Sequence, residues 1–276
     1  MKIKSTLYAA IALSATAFTS ATQAHRAWIL PDVTVLSGEA PTVAFDAAVS
    51  NEIFNFDHFA LPTDSIKAIA PDGSSVVLEN PAKARYRSTF DLTLKQQGTY
   101  RVFTASEGLR ASWETKDGKR GFYPGRGQPY SPEGFEKSVP KNAKNLEITQ
   151  FSRRMETFVT SGEPSEEILA ITGKGIELKT VSHPNDLYLS EPAKFQLMID
   201  GKPAAGAEVT LVREGSRYRD NQEAITLKTD DKGVFIVNWN GSGRYFLEAE
   251  YADTNAKIPA TKRMGTYSAV FEVLPD

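Results

Sequence analysis

Short runs in which apolar and polar side chains alternate, each closed by a glycine-containing turn, recur from residue 65 to the end of the chain. Alternation with a period of two sends successive side chains to opposite faces of an extended strand, so the pattern commits the chain to sheets. Residues 65–69 lead into Pro71-Asp72-Gly73 and return through 76–78, and residues 89–94 reach a turn at Gly98 and resume over 100–104. In the last third, 194–199, 207–212, 224–228 and 234–239 alternate around the turns at Asp200-Gly201 and Asp231-Lys232-Gly233. The run 243–249 repeats the Gly-x-Tyr opening of 98–104, which makes Tyr100 and Tyr245 candidate corner tyrosines of β-sandwiches. The expected fold is all-β, with two tandem β-sandwiches over 25–105 and 181–276. Between them, 106–145 reads as a long irregular loop region in which Trp113, Phe122, Tyr123, Tyr130 and Phe135 are interleaved with Gly, Pro, Lys and Arg. That region reads as a surface excursion pinned by its aromatics or as a lid or partner-docking loop, and 146–180 as return strands and linker.

The first 24 residues read differently. Lys2 and Lys4 precede an apolar stretch over 7–18, and Thr22-Gln23-Ala24 places small residues at the −3 and −1 positions of a cleavage site. This is the pattern of a secretory signal peptide, with a cut after Ala21 as the competing site. The apolar stretch is too short for a bilayer span, and the processed chain is expected to have none. The expected destination is the periplasm. Removal of 1–24 takes away two lysines and no acid, which moves the formal net charge from −2 to −4. A chain of that charge is no nucleic-acid binder, because phosphate contacts need a cationic face. The chain has no cysteine, so no disulfide framework supports the fold and no thiol does chemistry.

The chain has three histidines, His25, His58 and His183. No Ser-His-Asp spacing, HExxH motif or glycine-rich phosphate loop accompanies them, so the chain is expected not to be an enzyme. A cut after Ala24 frees the α-amine of His25 beside its own imidazole, and those two nitrogens can chelate one ion. The amine, with a pKa of about 8, gives up its proton when a metal competes for its lone pair. A second imidazole would complete a three-nitrogen set of the histidine-brace kind, which among divalent ions favours copper and then nickel. His58, in the polar-aromatic loop 51–59, is the first candidate for that second ligand. Asp57 and Glu52 are carboxylates within reach, and His183, ahead of Pro184, is a further candidate. Asp46 is a weaker one, and Trp28 reads as a core anchor. The expected metal set is His25, His58, His183 and Asp57, holding a divalent nickel, cobalt or copper ion.

These residues also carry a family resemblance. The opening Ala24-His25-Arg26-Ala27-Trp28, followed by Ile29-Leu30-Pro31, resembles the start of a family of periplasmic proteins with a domain of unknown function, labelled as nickel or cobalt uptake components. Asp57-His58-Phe59 falls at that family's next polar loop. His183-Pro184-Asn185-Asp186, Gly201-Lys202-Pro203, Thr229-Asp230-Asp231-Lys232-Gly233 and Gly243-Arg244-Tyr245 are similar to the transthyretin-like, carboxypeptidase-regulatory-like module. The resemblance implies immunoglobulin-like or transthyretin-like sandwiches, a role accessory to metal uptake, and an inner-membrane transporter or TonB-dependent receptor as partner. Two other functions fit the residues: a non-catalytic module that binds such a receptor or transporter, and a copper redox enzyme of histidine-brace type.

Overall fold

The computed structural model describes residues 25–276. The segment 1–24, with its signal-peptide reading, lies outside them. The described chain is all-β, as its alternation requires, and its sheets stack in three layers.

The middle layer is a ten-stranded sheet. From one edge it runs Ile225–Lys228, Glu208–Arg213, Gly243–Asp253, Lys262–Val273, Lys144–Ser161, Gly98–Glu114, Lys67–Ile69 and Ser75–Val76. Arg120–Tyr123 also pairs with Gly98–Glu114, and Val35–Leu36 with Lys144–Ser161. One outer layer is the sheet of Arg26–Pro31, Thr42–Ser50, Ser88–Thr93 and Glu79–Lys83, with Phe59–Ala60 beside Thr42–Ser50. The other outer layer is Ile176–Thr180, Ala193–Ile199, Lys202–Pro203 and Val234–Val237.

Side-chain alternation along the middle strands decides which layer each residue meets. Tyr245, Leu247 and Ala249 point into one core with Phe158, Phe195, Leu197 and Val237, whereas Phe246 between them points the other way onto Trp28 and Leu30. Likewise Phe158 joins the first core, while Met155 and Val159 join Ile29, Val43, Phe45 and Phe90 on the opposite face. Each such side chain, taken from water into a core, stabilises the fold by about 1.5–3 kcal/mol. Tyr100 Oη accepts from the Gln96 backbone N–H at 2.7 Å, and Tyr245 Oη lies 2.7 Å from Gly241 O, so both corner tyrosines tie down the turn before their strand.

Two expectations are revised. The β-sandwich fold stands, but the two sandwiches are not separate, because strands from both halves belong to one middle sheet. Lys144–Ser161 runs parallel to Lys262–Val273, from Thr149 opposite Lys262 to Thr157 opposite Val270. The region 106–145 is not an irregular loop either. Gly98–Glu114 continues through its first part, Arg120–Tyr123 folds back on that strand, and a helix spans Pro132–Ser138. Ser131 caps the helix, its Oγ accepting from Gly134 N at 3.1 Å, and Pro132 occupies its first turn. Ala111, Tyr123 and Val139 form a small separate core with Trp113, Tyr130 and Phe135 packed on it. The aromatics therefore hold an arm built on two long strands.

Candidate metal site

Local pairing brings His25 and His58 together. Arg26–Pro31 lies antiparallel to Thr42–Ser50 with Ala27 opposite Val49, and Phe59–Ala60 pairs with the same strand with Phe59 opposite Val49. His25 stands two residues before Ala27 and His58 one residue before Phe59, on either side of the end of Thr42–Ser50. Two strand spacings put their backbones about 10 Å apart, within reach of two inward-leaning imidazoles. The rings stack with centroids 3.8 Å apart and planes 10° from parallel.

A buried seat holds both partners. Trp28 is fully buried beneath the first strand, and its Nε1 donates to Ser50 Oγ at 2.9 Å. Phe54 and Phe56 of the connecting loop lie 5.5 Å from the Trp28 ring, and Ile53 is buried beside them. Trp28 is thus the core anchor its sequence position suggests. Arg26 fixes the start of the strand from the other side, donating from Nε to Glu248 Oε2 at 3.1 Å and from Nη1 to Gln222 Oε1 at 3.1 Å.

The two rings are exposed, and among the described residues neither makes a hydrogen bond. Their lone pairs lie in the ring planes, so parallel stacked rings do not aim both pairs at one point. Sharing an ion at about 2 Å from each nitrogen requires one ring to turn about its side-chain torsions, which exposed side chains do freely. The donor set then matches a borderline ion with nitrogen preference.

The other residues of the expected set do not join this pair. His183 is half-buried elsewhere, between the strands that begin at Gly98 and end at Ser161. Its Nδ1 accepts from Asn185 N at 3.1 Å, which places the ring proton on Nε2, 3.1 Å from both Ser165 O and Thr99 Oγ1. Both nitrogens are occupied, and burial pushes its pKa below 6.5. Asp57 closes the loop before His58, its Oδ1 accepting from Asn51 N at 2.9 Å, and Glu52 accepts from Asn55 Nδ2 at 2.8 Å. Asp46 faces Arg87 at 3.3 Å, and burial nonetheless raises its pKa. Among the described residues no three His, Asp or Glu side chains converge on one point. The four-residue set is therefore corrected to one pair of imidazoles.

A second feature escaped the sequence. Beside the arm, the face of the middle sheet that the first outer layer leaves uncovered forms a cleft of about 900 Å³, with Arg110, Arg153, Glu208 and Glu250 on its floor. The alternation Arg110, Ser112, Glu114 against Ala111 and Trp113 is the signal that marks this strand and its polar face.

A family model described as a domain of unknown function (DUF4198) matches residues 22–253. No curated protein matches the chain. Solved structures similar to it include the D0-D1 domain of intimin, at 13% identity over 88% of this chain and 97% of that one, with a TM-score of 0.22. The human OSCAR ligand-binding domain is similar at 10% identity over 90% and 98%, with a TM-score of 0.20. A DUF3823 family protein from Bacteroides uniformis is similar at 11% identity over 78% and 92%, with a TM-score of 0.25. At these TM-scores the likenesses carry no argument about function. No helix among the described residues is long and apolar enough to cross a membrane.

Proposed function

The chain belongs to the DUF4198 family, and since that description carries no activity, we propose from its own residues that it binds a divalent transition-metal ion in the periplasm as an accessory to metal uptake. The stacking of His25 on His58 at 3.8 Å carries this reading. Of the three histidines, the two that meet are the one that signal-peptide removal would place at the N-terminus and the one in the loop that the first strand flanks.

The residues would share the work as follows. The freed α-amine and the Nδ1 of His25 form the chelate ring, and His58 supplies the third nitrogen after its ring turns out of the stack. Trp28 and its bond to Ser50 keep the first strand from fraying, so the amine is held near the second imidazole at little entropic cost. Nickel, cobalt and copper all suit such nitrogen donors, with copper bound most tightly. The ion is cargo for a transporter or TonB-dependent receptor, and the transthyretin-like character of the last third belongs to the same proposal.

Calorimetry with Cu(II), Ni(II) and Co(II) tests this on protein whose first residue is verified by mass to be His25. One ion per chain is expected. One extra residue ahead of His25 should abolish binding, and His58→Ala should weaken it roughly a hundredfold. Equal affinity in the extended chain, or binding of none of the three ions, would sink the proposal.

A further inference from the structure

The cleft beside the arm has a floor made of one sheet face, and the register of that sheet orders its charges. Arg153 stands opposite Thr266, Thr266 opposite Glu250, and Glu250 opposite Glu208, so these four side chains form one row across four strands. One step along the strands comes a row with Phe151 opposite Met264, then Arg110 opposite Thr149. The Arg110 guanidinium lies over the Phe151 ring, 4.5 Å from its centroid, which carries its charge towards Arg153. Burial and the neighbouring Arg153 charge both push the Arg110 pKa down. Neither arginine, and neither Glu208 nor Glu250, forms an ion pair or side-chain hydrogen bond among the described residues. The floor is therefore bipolar: the unpaired Arg110 and Arg153 stand at one end, with Glu147 diagonal to Arg110, and the unpaired Glu250 and Glu208 stand at the other, with Lys228 opposite Glu208 on the edge strand.

Strand spacing sets the separation. Glu250 is two strands from Arg153 and Glu208 three, about 10 and 14 Å. Apolar surface borders the floor at Phe122, beside the arginine end, and at Met264, opposite Phe151, both more than half exposed. The arm's turn at 124–128 walls the cleft, and the Tyr130 ring packs where a Cβ on Gly108 would stand, so only glycine admits this wall.

We propose that this cleft binds a short zwitterionic peptide laid across the strands, its terminal carboxylate at Arg110 and Arg153 and its amino group at Glu250 and Glu208. A tripeptide spans about 10 Å when extended, at roughly 3.3–3.6 Å per residue, which matches the spacing of the two charged ends. Guanidinium groups grip a carboxylate through paired N–H donors, and the carboxylates of the floor receive the ammonium. The apolar flanks leave the middle side chain loosely specified. The site is independent of the metal reading, because none of its four charged residues touches His25 or His58.

The probe is an equimolar set of Ala-X-Ala tripeptides, with X drawn from all side-chain classes, tested by calorimetry against the full chain. The same set is then used N-acetylated and C-amidated. Free peptides should bind, and capping either end should weaken binding about tenfold or more. Arg153→Gln should lower affinity for free peptides and not for C-amidated ones, and Glu250→Gln should show the same selectivity for the amino end. This internal comparison separates a lost contact from a damaged fold. No binding by the free set would overturn the proposal, as would equal binding of capped peptides. So would binding of succinate or inorganic phosphate as tight as that of the peptides with Glu250→Gln silent.

Discussion

His25 with His58 and His183 present the same side chain in two opposite settings. The pair stands at the end of the first outer layer, exposed, without hydrogen bonds among the described residues, and held in place by what lies beneath it. His183 is half-buried, with Asn185 N on one nitrogen and Ser165 O and Thr99 Oγ1 on the other. Its neighbours continue the network: Asn185 Oδ1 accepts from Thr160 Oγ1 at 2.9 Å, and Asn185 Nδ2 donates to Phe158 O at 2.9 Å. An imidazole with both nitrogens used up is a strut, and one with free nitrogens on a rigid base is available for chemistry. The difference arises from the environment that folding supplies, since the residue type is identical.

Replacing His183 gives the largest expected effect on stability. His183→Ala leaves the Asn185 N–H and the Ser165 carbonyl without their partner in a half-buried site, at a cost of about 1–3 kcal/mol. Urea denaturation should show that loss while the number of metal ions bound per chain stays unchanged. A change in stoichiometry with stability intact would reverse the assignment of strut and site.

A smaller effect follows from pH. Burial is the largest influence on His183 and lowers its pKa below 6.5, against the opposing pull of Ser165 O, Asp186 and Glu166. Between the folded pKa and 6.5 the unfolded chain binds a proton that the folded chain refuses. Stability therefore falls as pH drops through 6.5 and levels off once the folded pKa is passed. Denaturation midpoints at pH 7.5 and 5.5 should differ in that direction, and His183→Ala should flatten the step. An unaltered step in the variant would assign it to another group.

How much of this contrast was legible in the sequence depends on how many faces of each strand are buried. The last third announced itself, because its strands alternate and its turns carry Gly201 and Gly233, both at positive φ. The second half of Lys144–Ser161 did not, since it is the middle of three layers and nearly every residue from Ser152 to Ser161 is buried, which erases the alternation. Its parallel pairing with Lys262–Val273 joins segments about a hundred residues apart and has no local signature. The arm was legible in principle through Ala111 and Trp113 alternating with Arg110, Ser112 and Glu114, but its Gly, Lys and Arg content imitates a loop. At the site, the meeting of His25 and His58 followed from their being the flanks of one strand. Nothing local could separate Asp57 as a loop closure from Asp57 as a ligand, or His183 as a strut from His183 as a ligand, because both distinctions depend on residues far away in the chain.

The smallest expected effect is the sharpest test of the comparison. Without metal, His25→Ala together with His58→Ala removes one exposed stacking contact and no hydrogen bond, so stability should stay within about 0.5 kcal/mol of the parent. With metal the two chains should diverge. An ion that binds only the folded chain stabilises it by roughly 2.7 kcal/mol when present at a hundred times its Kd. The processed parent should therefore gain several degrees in Tm on addition of Cu(II), whereas the double variant should gain none and His183→Ala should gain as much as the parent. The three Tm shifts read together separate a base that merely displays two imidazoles from one that uses them. If the double variant gained as much as the parent, the ion would be binding somewhere other than the stacked pair.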